Sequence, residues 1–159
     1  MKNSITPCLW FDQNAEEAVK FYTSVFKKSK IISKTYYGDN APMPKGTLLT
    51  IYFQLNGNEY MALNGGPAFR FTEAISLMVN CDTQKEIDYY WKKLSSDGGK
   101  EIECGWVKDK YGLSWQIVPS ELQKMFKHKD EKKKQRMLQA VWSMKKLDIK
   151  KIKQAFNGK

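Results

Sequence analysis

The order of apolar and polar positions divides most of the chain into two similar stretches. Residues 5–11, Ile-Thr-Pro-Cys-Leu-Trp-Phe, read as a strand, with Pro7 near its start suiting an edge or a strand end. Asn14 followed by Glu17 is a cap-like pair, and Ala18, Phe21, Tyr22, Val25 and Phe26 then recur at helical spacing. Strands are predicted at about 30–37, 46–55 and 58–63, with a Pro- and Gly-containing loop over 39–46 and an Asn56-Gly57 hairpin turn. After Asn64-Gly65-Gly66-Pro67 the pattern restarts. A strand over 71–81 leads to the capping box Thr83-Gln84-Lys85-Glu86 and a helix bearing Ile87, Tyr90, Trp91 and Leu94. Asp97-Gly98-Gly99 ends that helix, and short strands are expected at 101–107 and 113–118.

The two stretches superimpose. A shift of 69 residues puts Asn14 on Thr83, Glu17 on Glu86, Phe21 on Tyr90, Tyr22 on Trp91 and Val25 on Leu94. A shift of 55 puts Gly57 on Gly112, Tyr60 on Trp115, Ala62 on Ile117 and Leu63 on Val118. Two ordered matches point to an internal duplication of one strand-helix-strand-strand-strand unit. The fold class is therefore α+β, with paired βαβββ modules at 1–66 and 67–119 and a helical extension at 120–159. In the extension, Ser120-Glu121-Leu122-Gln123 reads as a capping box. Asp130 and Asp148 are expected to cap helices carrying Met137, Leu138, Val141 and Trp142, and then Ile149, Ile152 and Phe156.

Charge changes this picture only at the C-terminal end. The net charge is +10, but residues 119–159 hold 13 Lys/Arg against 4 Asp/Glu, and the preceding residues are nearly balanced. The extension has few aromatics and no Arg-rich run, so its charge reads as a solvated face and nucleic-acid binding is not expected. No stretch approaches the roughly 20 apolar residues of a membrane span, and the N-terminus lacks a signal-peptide apolar region, so a cytoplasmic protein without membrane association is expected. Cys8, Cys81 and Cys104 form no CxxC spacing and read as buried, reduced thiols rather than a disulfide or zinc framework.

Several runs carry a resemblance. Thr6-Pro7-Cys8-Leu9-Trp10-Phe11-Asp12, Ala15-Glu16-Glu17-Ala18, Ala62-Leu63-Asn64-Gly65-Gly66-Pro67, Cys104 through Gly112, Ser114-Trp115-Gln116-Ile117-Val118-Pro119 and Met144 through Asp148 are similar to the PhnB-like branch of the glyoxalase/bleomycin-resistance superfamily, also called the vicinal-oxygen-chelate fold. Proteins of this group often carry the label 3-demethylubiquinone 3-methyltransferase. The resemblance implies curved sheets that frame a pocket, and a homodimer. It also implies a divalent metal held by His, Gln or Glu at positions that fall here near Pro7, Met61, Ala74 and Gln116. Only Gln116 could be a ligand, and one neutral amide does not hold a catalytic divalent ion. A frame error of one or two residues would bring in Cys8, Glu59, Glu73 or Ser76, but the single histidine, His128, lies in the extension. No metal and no cofactor are expected. The label's S-adenosylmethionine would need a Gly-rich turn between a strand and a helix, and Asn64-Gly65-Gly66-Pro67-Ala68 precedes a strand pattern instead.

What remains is a pocket for a small apolar or aromatic molecule. Strand alternation is expected to set Leu9 and Phe11, Met61 and Leu63, Ser76 and Met78, and Ser114 and Gln116 on one face. Trp10, Trp106 and Trp115 are expected on the other face or at the rim, where they could stack on a planar ligand. The leading expectation is a ligand-binding protein without the usual metal site. The alternatives are an enzyme with an atypical site, whether a methyltransferase or a lyase, isomerase or dioxygenase, and a protein whose basic extension contacts an anionic partner.

Overall fold

The computed structural model describes residues 5–159, and Met1–Ser4, part of the segment read above as lacking a signal-peptide pattern, lie outside the described residues. The elements run β1 (Cys8–Phe11), α1 (Ala15–Val25), β2 (Lys30–Tyr36), β3 (Leu48–Leu55), β4 (Asn58–Asn64), β5 (Ser76–Cys81), α2 (Gln84–Leu94), β6 (Lys100–Glu101), β7 (Trp106–Lys108), β8 (Ser114–Pro119), α3 (Leu122–Phe126), α4 (Glu131–Trp142) and α5 (Ile149–Asn157). Two four-stranded sheets result, ordered β1-β4-β3-β2 and β5-β8-β7-β6. Each pairs its first strand parallel with its last and its remaining strands antiparallel. This shared order is the structural form of the duplication. The chain forms two compact units, Met1–Arg70 and Phe71–Lys159.

In the first unit α1 covers one face of its sheet. Ala15, Ala18, Val19, Tyr22 and Val25 are buried with Leu9, Phe11, Ile51, Phe53 and Ala62. The hairpin predicted at Asn56-Gly57 is present, both residues having positive φ (46° and 88°), as a two-residue turn between right-twisted strands requires. The N-terminus of α1 departs from expectation. Asn14 makes no side-chain cap bond, and the Ala15 N–H donates instead to Asn64 Oδ1 at 3.0 Å, from the end of β4.

In the second unit α2 packs on β8, and Ile87, Trp91 and Leu94 are buried with Val107, Trp115 and Ile117. The capping box at Thr83 and Glu86 is complete. The strand expected over 71–81 begins only at Ser76, and the one expected over 101–107 is divided by a turn into β6 and β7.

The C-terminal helices belong to this unit and bury Leu122, Met137, Val141, Leu147 and Ile152 together, with Val118 and Cys104 packed against them. Asp130 and Asp148 cap α4 and α5 by accepting from Lys133 N and Lys151 N. Ser120 caps nothing, because α3 starts after Glu121 without a side-chain cap. The connection from α4 to α5 is tied to the turn before β7, where Cys104 N–H donates to the Met144 carbonyl and Gly105 N–H to that of Lys145.

Candidate functional site

Each sheet has a helix-covered face and an open one, and pairing register decides which side chains reach the open face. In the first unit Cys8 pairs with Met61, Leu9 with Ala62, Trp10 with Leu63 and Phe11 with Asn64. Partners in a ladder share a face, so Leu9 and Phe11 lie under α1, only 4% and 3% exposed, and not with Met61 and Leu63. The open face carries Cys8, Trp10, Met61 and Leu63, with Thr50 and Tyr52 of β3, which corrects the expected grouping. Cys8 is exposed there and Cys104 is half-buried, so of the three thiols expected to be buried only Cys81 is. Phe11 superimposes on Cys81, a shift of 70 residues, whereas the helices follow the shift of 69. The link between β1 and α1 is one residue longer than its counterpart before α2, and one residue inverts every side chain of a strand.

Trp10 is half-buried on this open face. Its indole N–H donates to the Gly66 carbonyl at 2.8 Å, and its ring meets Phe69 edge-on at 5.0 Å. A Cβ on Gly65 would lie 2.3 Å from Trp10 Cζ2. Gly65 and Gly66 spend their N–H groups on the carbonyls of Phe11 and Asp12. Glycine here admits the indole, and no helix follows, so these residues do not fit an S-adenosylmethionine cradle.

In the second unit Ser76 pairs with Ser114, Met78 with Gln116 and Asn80 with Val118 across β5 and β8. Trp106 and Lys108 of β7 pair with Gln116 and Ser114. Trp106 therefore stands on the open face beside Gln116 and not on the opposite one. Trp115 is on the opposite face, as expected, but it is not at a rim. It is 2% exposed, its N–H donates to Asp109 Oδ2 at 2.7 Å, and it has no surface for stacking on a ligand.

The open face of this sheet is polar along the row Ser76, Ser114 and Lys108, and the next row holds Met78, Gln116 and Trp106. The Gln116 amide donates to Ser76 Oγ at 2.8 Å, which fixes one end of the carboxamide. Ser114 is fully buried and, among the described residues, its hydroxyl has no hydrogen-bond partner. The Lys108 ammonium donates to Glu73, which holds that carboxyl below the usual carboxylate range. Met78 is 51% exposed, Trp106 is half-buried, and Val118 sits under the C-terminal helices. Of the eight residues singled out from sequence, the second unit brings Ser76, Trp106 and Gln116 together on one open face. The first unit brings together Trp10 and Met61. Sequence reasoning missed Lys108, although it follows Trp106 by two positions and so had to share its face, and weighed Glu73 only as a metal donor.

The family-type metal positions do not form a donor set. Pro7, Met61 and Ala74 offer no side-chain ligand, the Pro7 carbonyl accepts from Met61 N–H, and the Gln116 amide is bonded to Ser76. Among the described residues, no group of three His, Cys, Asp or Glu side chains could hold a metal ion. Burial pushes the Cys81 thiol up to about 12, with the nearby Glu86 and Asp82 adding to the shift, so it stays protonated at neutral pH.

The family described as 3-demethylubiquinone-9 3-methyltransferase matches residues 3–118. Among solved structures, the PhnB protein from Bacillus cereus, named for the same methyltransferase, is 40% identical, covering 74% of this chain and 99% of its own, with a TM-score of 0.66. A Pseudomonas aeruginosa protein is 21% identical over 74% of this chain and 98% of its own, with a TM-score of 0.61. The fosfomycin resistance protein FosX from Listeria monocytogenes, whose structure holds Mn(II) and sulfate, is 12% identical over 78% of this chain and 98% of its own, at a TM-score of 0.50. The last two likenesses are of fold alone. No curated protein matches. The fold is the vicinal-oxygen-chelate architecture that the sequence motifs implied.

Proposed function

The chain belongs to the 3-demethylubiquinone-9 3-methyltransferase family of PhnB-like proteins, and on that footing we propose that it binds a small, largely apolar or aromatic molecule on the open face of its second sheet, without a resident metal. The observation that carries this reading is the Gln116–Ser76 bond beside the unpartnered Ser114 hydroxyl. An amide fixed by one bond presents its other end in a defined direction, which is how a mostly apolar site orients a ligand. Trp106, beside Gln116 in the ladder, offers a ring for stacking, and Met78 offers a deformable apolar contact.

Methyl transfer from S-adenosylmethionine does not fit these residues. The Gly65-Gly66 turn is filled by Trp10, and of the four residues at the family's metal positions only Gln116 could donate. We read the protein as a binder, acting in the cytoplasm as a homodimer. The fold of the family, shared with a resistance protein, supports that reading by analogy.

A thermal-shift screen of small aromatic compounds tests it. Ligands that raise Tm of the wild type should lose that effect in Gln116→Ala while the apo Tm changes little. Hits that stabilise Gln116→Ala equally would place binding elsewhere. Stoichiometric Ni, Zn, Mn or Fe in the purified protein would favour the enzymatic alternative.

A further inference from the structure

The same open face carries a charge arrangement that a purely apolar ligand would leave unexplained. Lys100 of β6 and Lys108 of β7 are direct partners in the ladder, so two lysine side chains leave the sheet on the same face from neighbouring positions. Like charges at directly opposed positions repel and destabilise a sheet unless an anion lies close by. Lys100 is exposed and makes no ion pair among the described residues. Lys108 has one, to Glu73, which sits on the irregular segment ahead of β5 and not on the sheet. Glu73 is held by little else. Its side chain is 57% exposed, and its neighbours Ala74 and Ile75 are exposed as well. On the sheet itself, the residue paired with Lys108 is Ser114, the fully buried serine whose hydroxyl has no partner. A cation that is only 26% exposed, a second cation beside it and an unsatisfied hydroxyl donor make a coherent anion-binding set.

Resting on the binding reading above, we infer that the ligand is an aromatic carboxylate, whose carboxylate displaces Glu73 from Lys108 and takes the Ser114 hydroxyl while its ring lies against Trp106. Glu73 is then an internal stand-in. It neutralises Lys108 when the face is empty and swings away with its loop when a better-placed carboxylate arrives. Affinity is the difference between the ligand's contacts and those of Glu73, so removing the charge of Glu73 strengthens binding.

Calorimetric titration of the full chain with 1-naphthoate and with its neutral counterpart 1-naphthalenemethanol tests the exchange. Wild type should bind the carboxylate more tightly than the alcohol. Glu73→Gln should tighten naphthoate by about threefold, the size expected when one partly exposed competing ion pair is removed, and leave the alcohol unchanged. Lys108→Met should bring naphthoate down to the level of the alcohol, and Lys108→Arg should restore the preference, which separates lost charge from lost fold. Equal binding of both compounds to wild type, abolished in Gln116→Ala, would overturn the anion inference and keep the binding face. Binding of neither compound to wild type or to Glu73→Gln would overturn both.

Discussion

The Asp109 carboxylate holds the Trp115 indole from below the second sheet, with Oδ2 accepting from Nε1 at 2.7 Å and both residues at most 3% exposed. Its other oxygen accepts the backbone N–H groups of Tyr111 and Leu113 at 2.9 and 3.1 Å. One buried side chain thus sets the turn from β7 to β8 and the rotamer of the largest fully buried residue.

Replacing Asp109 with Ala leaves three donors without their acceptor in a closed interior. The expected loss is about 3 kcal/mol, more than any single exposed ion pair contributes. Denaturant unfolding should show a larger loss for Asp109→Ala than for Asp109→Asn, which keeps Oδ1 as the acceptor for the two turn N–H groups. Equal losses would mean that the turn contacts contribute nothing.

Gly105 carries the second prediction. Its φ is +81°, and a Cβ there would lie 2.8 Å from the Ile117 carbonyl and 3.0 Å from Leu147 Cδ1. Gly105→Ala therefore combines a backbone region disfavoured for Ala with a clash against a rigid strand, and should cost about 2 kcal/mol or more. Because Gly105 N–H also holds the Lys145 carbonyl, the C-terminal helices should loosen first. Hydrogen exchange would show lost protection in α4 and α5 ahead of the sheet. Uniform loss across the unit would contradict that order.

These two residues show what was legible in the sequence. Thr83-Gln84-Lys85-Glu86, Asp130 and Asp148 were readable because a cap acts within three residues. Asn56-Gly57 was readable because few dipeptides accept two positive φ angles. The cap on α1 was not, since Asn64 reaches Ala15 from 49 positions away. The faces of β1 were misassigned because the duplication suggested one shift where a loop of one extra residue required two. Asp109 could have been suspected, as Asp followed by Gly three residues on is a turn pattern whose carboxylate commonly accepts local N–H groups. Its bond to Trp115 depends on burial, which spacing alone does not reveal.

Acid should weaken the fold in a defined direction. Hydrogen bonds from Lys34 and Lys20 hold the Glu16 carboxyl below its ordinary 4.5, a bond from Lys146 holds Asp88 below 3.8, and the Lys133 N–H does the same for Asp130. A carboxyl depressed in the folded state adds stability above its unfolded value and loses it as pH falls through the folded one. Stability should be level above about pH 5 and decline below about pH 4. These groups are exposed, so salt should flatten the decline. A Tm constant down to pH 3 in dilute buffer would show that the pairs contribute nothing.

The most direct test of the binding face is an NMR titration of the uniformly 15N-labelled chain with 1-naphthoate. The Gln116 side-chain amide and the backbone amides of Ser76, Trp106 and Ser114 should shift together and saturate along one isotherm. Saturable shifts confined to other surfaces, with Gln116 unmoved, would contradict the account.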